Sequence, residues 1–180
     1  MTSLEASNDF AEEFPAHPSD YFFYLIFHLL QRRNAILDEP LRRIGLDMFK
    51  WRSMLFIRAR EDCSMKELAR ISGIDRTTLT RSVDRLVEDG LVERTSSERD
   101  RRQVILRLTA RGAVVFDQGL DVHGHYNRRF LKGVPEADQA VICRHFRTVL
   151  GNMLDDPELT EDITSLNHTA PASGRRLGPV

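Results

Sequence analysis

Two short amphipathic segments separated by a single glycine constrain the fold of this chain more than any other feature. The first segment opens with a capping box, in which the Ser64 side chain and the Glu67 side chain each accept a hydrogen bond from the other residue's backbone. We therefore predict a helix that starts at Ser64. Cys63 and Leu68 occupy the positions of a hydrophobic staple, and Gly73 permits the left-handed conformation that ends such helices.

The second segment predicts a helix from Arg76 to Asp89, with Asp75 as its N-cap and Gly90 at its end. Apolar residues recur on one face of this helix, namely Leu79, Val83, Leu86 and Val87. Polar residues occupy the opposite face, namely Thr77, Thr78, Arg81 and Arg85. Two short helices joined by a tight turn are typical of a helix-turn-helix, whose second helix inserts into the DNA major groove.

A charged hairpin is predicted directly after the second helix. Residues 91–95 and 103–108 alternate apolar and polar side chains as strands do, and the run SSERDRR separates them. In the second strand we expect Val104, Leu106 and Leu108 on one face and Gln103, Ile105 and Arg107 on the other. We expect arginines at the tip to enter the minor groove, where the negative potential is concentrated; these are Arg99, Arg101 and Arg102. Asp100 would be repelled by phosphates, so we expect it to pair with nearby arginines and organise the loop.

The charge distribution favours a polyanionic partner for one part of the chain. Residues 41–112 contain 17 Lys and Arg against 11 Asp and Glu, whereas the remainder contains 9 against 16. If the charge distribution is considered by itself, the alternative explanation is a solvated charged face. Together with the motifs, the pattern predicts a set of DNA-contacting residues, namely Ser64, Lys66, Arg76, Thr77, Thr78, Arg81, Arg99, Arg101 and Arg102.

The hairpin segment also carries an ordered set of motifs: an Asp-x-Arg, a Leu-x-Leu-Thr and a Gly. The residues are Asp100, Arg102, Leu106, Leu108, Thr109 and Gly112. This set, following a helix-turn-helix, resembles the MarR family of winged helix-turn-helix transcriptional regulators. The segment around Trp51 resembles the family's second helix, and the resemblance covers roughly residues 20–154. It implies a mainly α fold with a small β-hairpin wing, in which a winged helix-turn-helix lobe joins a helical dimerisation lobe. The implied function is DNA-binding regulation, more often as a repressor than as an activator.

The domain organisation follows from the flanking segments. Residues 21–30 are apolar almost all round, which is too much for a helix packed on one small lobe, so we expect a homodimer. Both ends of the chain are rich in small, polar and charged residues. We predict a disordered tail over 1–18, a MarR-type domain over 19–154 and a disordered tail over 155–180. Within the domain we expect a DNA-binding lobe at about 47–108 and dimerisation helices at about 19–45 and 109–154.

The resemblance also implies a small-molecule effector, since aromatic or phenolic anions often bind between the two lobes in this family. The matching helices here are 20–38 and 48–60. Tyr24 and His28 are one helical turn apart, and we predict that they hold a carboxylate or phenol beside Trp51. The alternative for His28 is a core histidine bonded to a neighbouring carbonyl.

Other functional classes find little support in the sequence. There is no nucleophile motif or phosphate-binding glycine loop, so we expect no enzyme activity and no cofactor. Cys63 and Cys143 lack metal-ligand spacing, and we expect both to be reduced and buried. His123 and His125 lie two apart on a predicted helix and point in different directions, so we expect solvated side chains and no metal site. The chain has no apolar stretch of membrane-spanning length and no signal peptide, so we expect a cytoplasmic protein without a membrane partner.

Two alternatives stay open at this point. One is a regulator of the same fold that senses oxidation through a cysteine. The family members of that branch carry the cysteine near the start of the first helix, where this chain has Tyr21 and Tyr24. The other is a dimeric interaction module without DNA affinity, against which the arginines of the wing argue.

Overall fold

The computed structural model describes residues 18–60, 63–97 and 103–165. Within these ranges the helices are α1 (Pro18–Arg43), α2 (Met48–Ala59), α3 (Met65–Ser72), α4 (Arg76–Glu88), α5 (Ala110–Phe130), α6 (Glu136–Leu154) and α7 (Pro157–Ser165). The strands are β1 (Cys63–Ser64), β2 (Val92–Ser96) and β3 (Val104–Leu108). The predicted fold class, mainly helical with a small hairpin, is confirmed. No helix within the described ranges is both long and apolar enough to cross a bilayer.

Local capping explains the helix-turn-helix. The Ser64 hydroxyl accepts from the Glu67 amide at 3.2 Å, and the Glu67 carboxylate accepts from the Ser64 amide at 3.0 Å. Gly73 ends α3 with φ of +61°, a conformation that costs glycine little. Asp75 then starts α4 by accepting from the Thr78 amide at 2.9 Å. The capping predicted from the sequence is therefore confirmed at both helices.

Three antiparallel strands form the sheet, in the order β1-β3-β2. The predicted hairpin pairs Val92 with Leu108 and Ser96 with Val104. A short strand that we did not predict, β1, pairs Cys63 with Leu106. The predicted alternation along β3 is only partly correct, because Ile105 is fully buried and Val104 is 51% exposed. Adjacent strand residues point to opposite faces, and Ile105 and Leu106 are both fully buried, so both faces of the sheet are covered at the middle of β3.

The core lies mainly within the winged helix-turn-helix lobe, which we define as residues 48–108, and residues of α1 and α5 complete it. Trp51 is buried and stacks on Phe116 of α5, with ring centroids 5.3 Å apart. The C-terminal half of α1 contributes Leu37 and Leu41, both fully buried. Pro40 lies inside α1 rather than at its end. These contacts attach α1 and α5 directly to the lobe.

The remaining parts of α1 and α6 expose apolar side chains in the single chain. On α1 these are Phe22, Phe23, Tyr24, Leu25, Phe27, Leu29, Leu30 and Ile36. On α6 they are Val141, Ile142, Phe146 and Met153. Phe22 and Phe146 lie 5.9 Å apart, so the two helices contribute to one apolar surface. We call α1, α5 and α6 the helical lobe. The prediction that Cys143 is buried is wrong for the single chain, because its position on α6 is exposed.

The predicted disordered tail over 155–180 is wrong in its first part, since α7 spans Pro157–Ser165. Asp156 caps α7 by accepting from the Leu159 amide at 2.9 Å. The Asp162 carboxylate pairs with Arg60 at the end of α2 and with Arg70 on α3. The composition of the segment indicated disorder. The arginines that hold α7 lie far away in sequence, so the segment by itself does not reveal them. Residues 166–180 and 1–17 lie outside the described residues, as do the tail predictions made for them.

Candidate nucleic-acid interface and ligand cavity

Contacts at both ends fix helix α4. Hydrogen bonds from Thr78 hold the N-terminal end and lower the pKa of Asp75, so this cap stays ionised. At the C-terminal end, Lys50 of α2 pairs with Asp89 at 2.6 Å, and Arg111 donates to the Asp89 carbonyl at 3.0 Å. Leu79, Val83 and Leu86 anchor the inner face in the core, as the periodicity predicted. The helix is therefore a rigid element with one solvent-facing side.

That outer side carries the predicted DNA contacts. Arg76, Thr77 and Arg81 are exposed, and Thr78 is half-buried beside the cap. Among the described residues, no carboxylate forms an ion pair with Arg76 or Arg81. Arg94 of β2, by contrast, is paired with Asp84 at 2.5 Å. The two unpaired guanidinium groups are free to bind base edges or phosphates.

The two DNA contacts predicted at the start of α3 differ in their exposure. Lys66 is exposed, as a phosphate ligand must be. Ser64 is only 4% exposed and its hydroxyl donates to Glu67 at 2.8 Å, which argues against the predicted DNA contact of this side chain. The capping box uses the only donor of this hydroxyl, so no hydroxyl donor is left for a phosphate oxygen.

The tip of the wing lies outside the described residues. The Ser97 amide donates to the Gln103 carbonyl at 2.9 Å, which closes the hairpin ladder at the last described residues. Arg99, Asp100, Arg101 and Arg102 lie between these two positions, and their roles stay predictions.

A cavity of about 400 Å³ opens between α1, α2 and α5. Its lining combines apolar and polar side chains, namely Leu30, Arg33, Asn34, Met48, Trp51, Arg52, Leu55, Leu120, His123 and Asn127. The predicted cleft beside Trp51 therefore exists. Because α2 belongs to the winged helix-turn-helix lobe and the other two helices to the helical lobe, the cavity lies at the junction of the lobes.

Trp51 lines this cavity as predicted, whereas Tyr24 and His28 do not line it in the single chain, so the structure does not bring these two predicted effector-binding residues beside Trp51. Their rings contact each other at 4.3 Å, and Tyr24 is 48% exposed. The α1 residues that do line the cavity begin at Leu30. Tyr24 precedes Arg33 by nine residues, which is about 14 Å along a helix axis. Tyr24 and His28 contact each other on α1, as their spacing predicted. However, α1 crosses α2 about two turns further along the helix than Tyr24.

Positive charge is concentrated in the cavity. Arg33 and Arg52 both line it, and each lacks a carboxylate partner among the described residues. Burial lowers the pKa of Arg33, and the neighbouring Arg52 lowers it further. In the part of the chain that the structure describes, no aspartate or glutamate lines the cavity. This arrangement favours an anionic ligand, since an anion would offset the desolvation of Arg33 and the repulsion between the two guanidinium groups.

His123 was expected to be solvated, but only 7% of it is exposed. Its ring stacks on Trp51 at 4.6 Å, and Arg33 donates to its Nδ1 at 3.0 Å. Burial and the nearby Arg33 lower the pKa of His123 to about 4, so the imidazole is neutral. One sequence signal pointed to this site: Gly119 lies one turn before His123, and small residues mark places where helices approach closely.

Within residues 18–60, 63–97 and 103–165, no group of three or more His, Cys, Asp or Glu side chains is arranged to hold a metal ion. The candidate functional features of the described residues are the exposed basic side chains of α4 and the cationic cavity.

Comparison with known proteins identifies the family. The MarR family model matches residues 45–103. The multiple antibiotic resistance protein MarR of Escherichia coli is 32% identical over 104 residues, which cover 55% of this chain and 72% of MarR. The chain belongs to the MarR family. The HTH-type transcriptional repressor IacR of Pseudomonas putida is 27% identical over 148 residues, covering 82% of this chain and 85% of IacR.

Solved MarR-family structures share the fold. A cysteine-to-serine mutant of E. coli MarR in complex with operator DNA has a TM-score of 0.62 and 27% identity, covering 71% of this chain and 91% of that one. CouR from Rhodococcus jostii, bound to p-coumaroyl-CoA, has a TM-score of 0.65 and 21% identity, covering 75% and 92%. This MarR-family chain is therefore a transcriptional regulator with a DNA-binding winged helix, and its family is not one of enzymes.

Proposed function

We propose that this MarR-family regulator represses transcription as a homodimer, and that an aromatic carboxylate or phenolate releases it from a two-fold symmetric operator. The observation that carries this proposal is the cavity at the junction of the two lobes, which combines the indole of Trp51 with the guanidinium groups of Arg33 and Arg52. A ligand there contacts the element that holds α4 and the helices of the helical lobe at once.

The unpaired basic side chains of α4 support direct contact with DNA. Arg76 and Arg81 face solvent on a helix whose other face is anchored in the core. In a helix-turn-helix, such a position places the first turns of the second helix in the major groove. An interaction module without DNA affinity would have no use for unpaired arginines at this edge.

The exposed apolar surface of α1 and α6 supports a dimer. Phe22, Phe27, Leu29 and Phe146 each expose more than a third of their surface in the single chain. A contiguous apolar patch of this kind is rare on monomeric proteins and marks an association surface. An isologous dimer would relate the two copies of α4 by a two-fold axis, and the operator should then be an imperfect palindrome with half-sites about 34 Å apart.

The cavity supports an aromatic anion as the effector. Trp51, Leu55 and Leu120 offer apolar surface for a ring, and the two arginines offer charge-assisted hydrogen bonds to a carboxylate or phenolate. CouR, a protein of the same fold, binds p-coumaroyl-CoA. A ligand would release DNA only if it binds more tightly to a lobe arrangement that does not fit the operator.

The cysteine-oxidation alternative is disfavoured at Cys63. Burial raises the pKa of the Cys63 thiol to about 12, so almost no thiolate is present at neutral pH. The thiolate is the species that oxidants attack. Cys63 instead packs in the core as part of the sheet.

The test combines three measurements on the full chain. Light scattering during gel filtration should give the mass of a dimer, and footprinting on DNA from the protein's own upstream region should give symmetric protection. Fluorescence anisotropy with that DNA should then decrease when an aryl carboxylate is added, at the concentrations that change the fluorescence of Trp51, the single tryptophan.

A matched pair of α2 variants tests whether the ligand acts through this cavity. Arg52→Met removes a guanidinium from the cavity, whereas Arg58→Met removes an exposed one on the same helix that does not line this cavity. We expect a weaker ligand response only in Arg52→Met. Equal responses in both variants would place the effector elsewhere, and asymmetric protection of the DNA would contradict the dimeric operator.

A further inference from the structure

The two nitrogens of His123 have different surroundings. Nδ1 lies 3.0 Å from the Arg33 guanidinium, whereas Nε2 is buried and has no hydrogen-bond partner among the described residues. Trp51 covers a face of the same ring, and the side chain lines the cavity. A buried polar atom without a partner is uncommon in folded proteins and calls for an explanation.

Arg33 determines which nitrogen carries the proton. A guanidinium group has donors and no acceptor, so Nδ1 must be the acceptor in this contact. A neutral imidazole with an unprotonated Nδ1 carries its hydrogen on Nε2. Protonation of Nδ1 would turn that contact into repulsion between two cations. The buried Nε2 is therefore an N–H donor.

We infer that His123 is a ligand-binding residue of the cavity, whose Nε2–H donates a hydrogen bond to an oxygen of the effector, and that Arg33 fixes the tautomer which makes this possible. The inference rests on the proposed function, because it assigns a residue-level role within the proposed effector site. It adds a requirement that charge alone does not impose: the ligand must present a hydrogen-bond acceptor at this edge of the cavity.

The other lining residues narrow the ligand class. Arg33 and Arg52 attract an anion, and Trp51 with its apolar neighbours accommodates a ring. One carboxylate oxygen can accept from Nε2–H while the other accepts from a guanidinium group, which satisfies both demands with one functional group. An aryl carboxylate meets these conditions. An aryl ammonium ion of the same size does not, since it offers only donors and a charge of the same sign as the arginines.

Substitutions of His123 by amide side chains distinguish the contributions of its two nitrogens to binding. The amide nitrogen of Gln at position 123 reaches approximately to the location of Nε2, and that of Asn approximately to the location of Nδ1. Phe retains a flat ring against Trp51 and removes both nitrogens. His125→Phe is the matched control, because His125 is exposed on the same helix and does not line the cavity.

Isothermal titration calorimetry with 2-naphthoate as the probe tests the inference on the full chain, with 2-naphthylmethylammonium as the comparison. We expect His123→Gln to stay within about threefold of the parent affinity. A hydrogen bond to a charged group contributes enough that His123→Asn and His123→Phe should weaken binding by about 10- to 100-fold. His125→Phe should be unchanged, and the ammonium compound should not bind.

A second measurement does not depend on the folding of any variant. Nitrogen-15 spectra of the histidine-labelled parent report which imidazole nitrogen is protonated. We expect an Nε2-protonated His123 whose Nε2 proton shifts and exchanges more slowly when the probe is added. Protonation on Nδ1, or an Nε2 signal that does not respond to the bound probe, would overturn the inference.

The outcomes separate the inference from the proposed function. If the parent binds 2-naphthoate and all four variants bind it equally, a solvent molecule rather than the ligand satisfies Nε2, and the inference fails while the effector site stands. If the parent does not bind the probe and DNA release does not respond to it, the proposed aryl carboxylate effector fails, and the inference fails with it.

Discussion

Gly119 of α5 lies directly against the indole of Trp51, so closely that a Cβ atom at position 119 would stand 2.3 Å from the ring carbon Cζ3. Both residues are buried, and the contact joins the helical lobe to α2 at the edge of the cavity. The absence of a side chain at one position is what allows α5 to approach α2 here.

Gly119→Ala should therefore destabilise the protein although alanine is the better helix former. We expect a loss of about 1–3 kcal/mol in the free energy of unfolding, because the methyl group must displace a packed indole. Gly124→Ala on the same helix is the control. Its Cβ would meet only the end of the Arg128 side chain at 3.4 Å, so we expect a gain of up to about 1 kcal/mol. Urea denaturation of both variants measures the difference, and equal effects would contradict the close packing.

Arg81→Ala should weaken operator binding by about 1–3 kcal/mol and relax base preference if Arg81 reads a base, since one bidentate contact contributes that much discrimination. Fluorescence anisotropy with the operator and with a scrambled duplex measures both effects. Arg129→Ala, at the exposed end of α5, is the control and should bind as the parent does. A loss of similar size on both duplexes would assign Arg81 to phosphate contact instead.

Arg102→Ala should reduce operator affinity and lower the salt dependence of binding. Loss of one phosphate neutralisation changes the slope of log K against log salt by about one unit. Titrations at several salt concentrations provide the slope. Asp100→Ala should also weaken binding if that carboxylate organises the arginines of the wing, and parental affinity in Asp100→Ala would rule that role out.

Asp162→Asn should loosen α7 from the winged helix-turn-helix lobe. Burial acts to raise the pKa of Asp162, but hydrogen bonds from Arg60 and Arg70 outweigh it and lower the pKa. The carboxylate is only 17% exposed and bridges two arginines. We expect faster amide exchange throughout α7 with a global loss of about 1 kcal/mol or less. Glu161→Gln, an exposed neighbour, should leave amide exchange unchanged, and parental protection in Asp162→Asn would show that α7 is held by other contacts.

Stability should decrease as the pH falls between about 6.5 and 4 because of His123. Burial and the charge of Arg33 hold the pKa of His123 at about 4 in the folded protein, whereas it is about 6.5 in the unfolded chain. The unfolded state therefore binds the proton first, and stability is full above pH 6.5 and lost below it, by at most about 3 kcal/mol. Denaturant midpoints across this range should change less in His123→Gln than in the parent. Identical pH profiles would show that His123 is not the group responsible.

The local elements of this protein were determined by the sequence. The caps at Ser64 and Asp75 act across three residues, so their chemistry is visible in any short window, and both helices begin where those residues predict. The buried stripe of α4 and the hairpin after it follow from periods of 3.6 and 2 residues in the same way. The exposure of Arg81 could also be anticipated, because Arg81 occupies the face opposite to that stripe.

Only the tertiary structure decided the content of the cavity. Arg33 and His123 meet although 90 positions separate them. Gly119 marks a close approach of helices near His123, but no local feature of the sequence identifies Arg33 as the partner. Where α1 crosses α2 depends on side-chain packing over several turns, so the sequence predicted the correct helices but placed Tyr24 and His28 in the wrong turn. The pairing of Asp162 with Arg60 and Arg70 has the same physical basis. Asp162 stabilises the position of α7 through partners that become its neighbours only after the chain has folded.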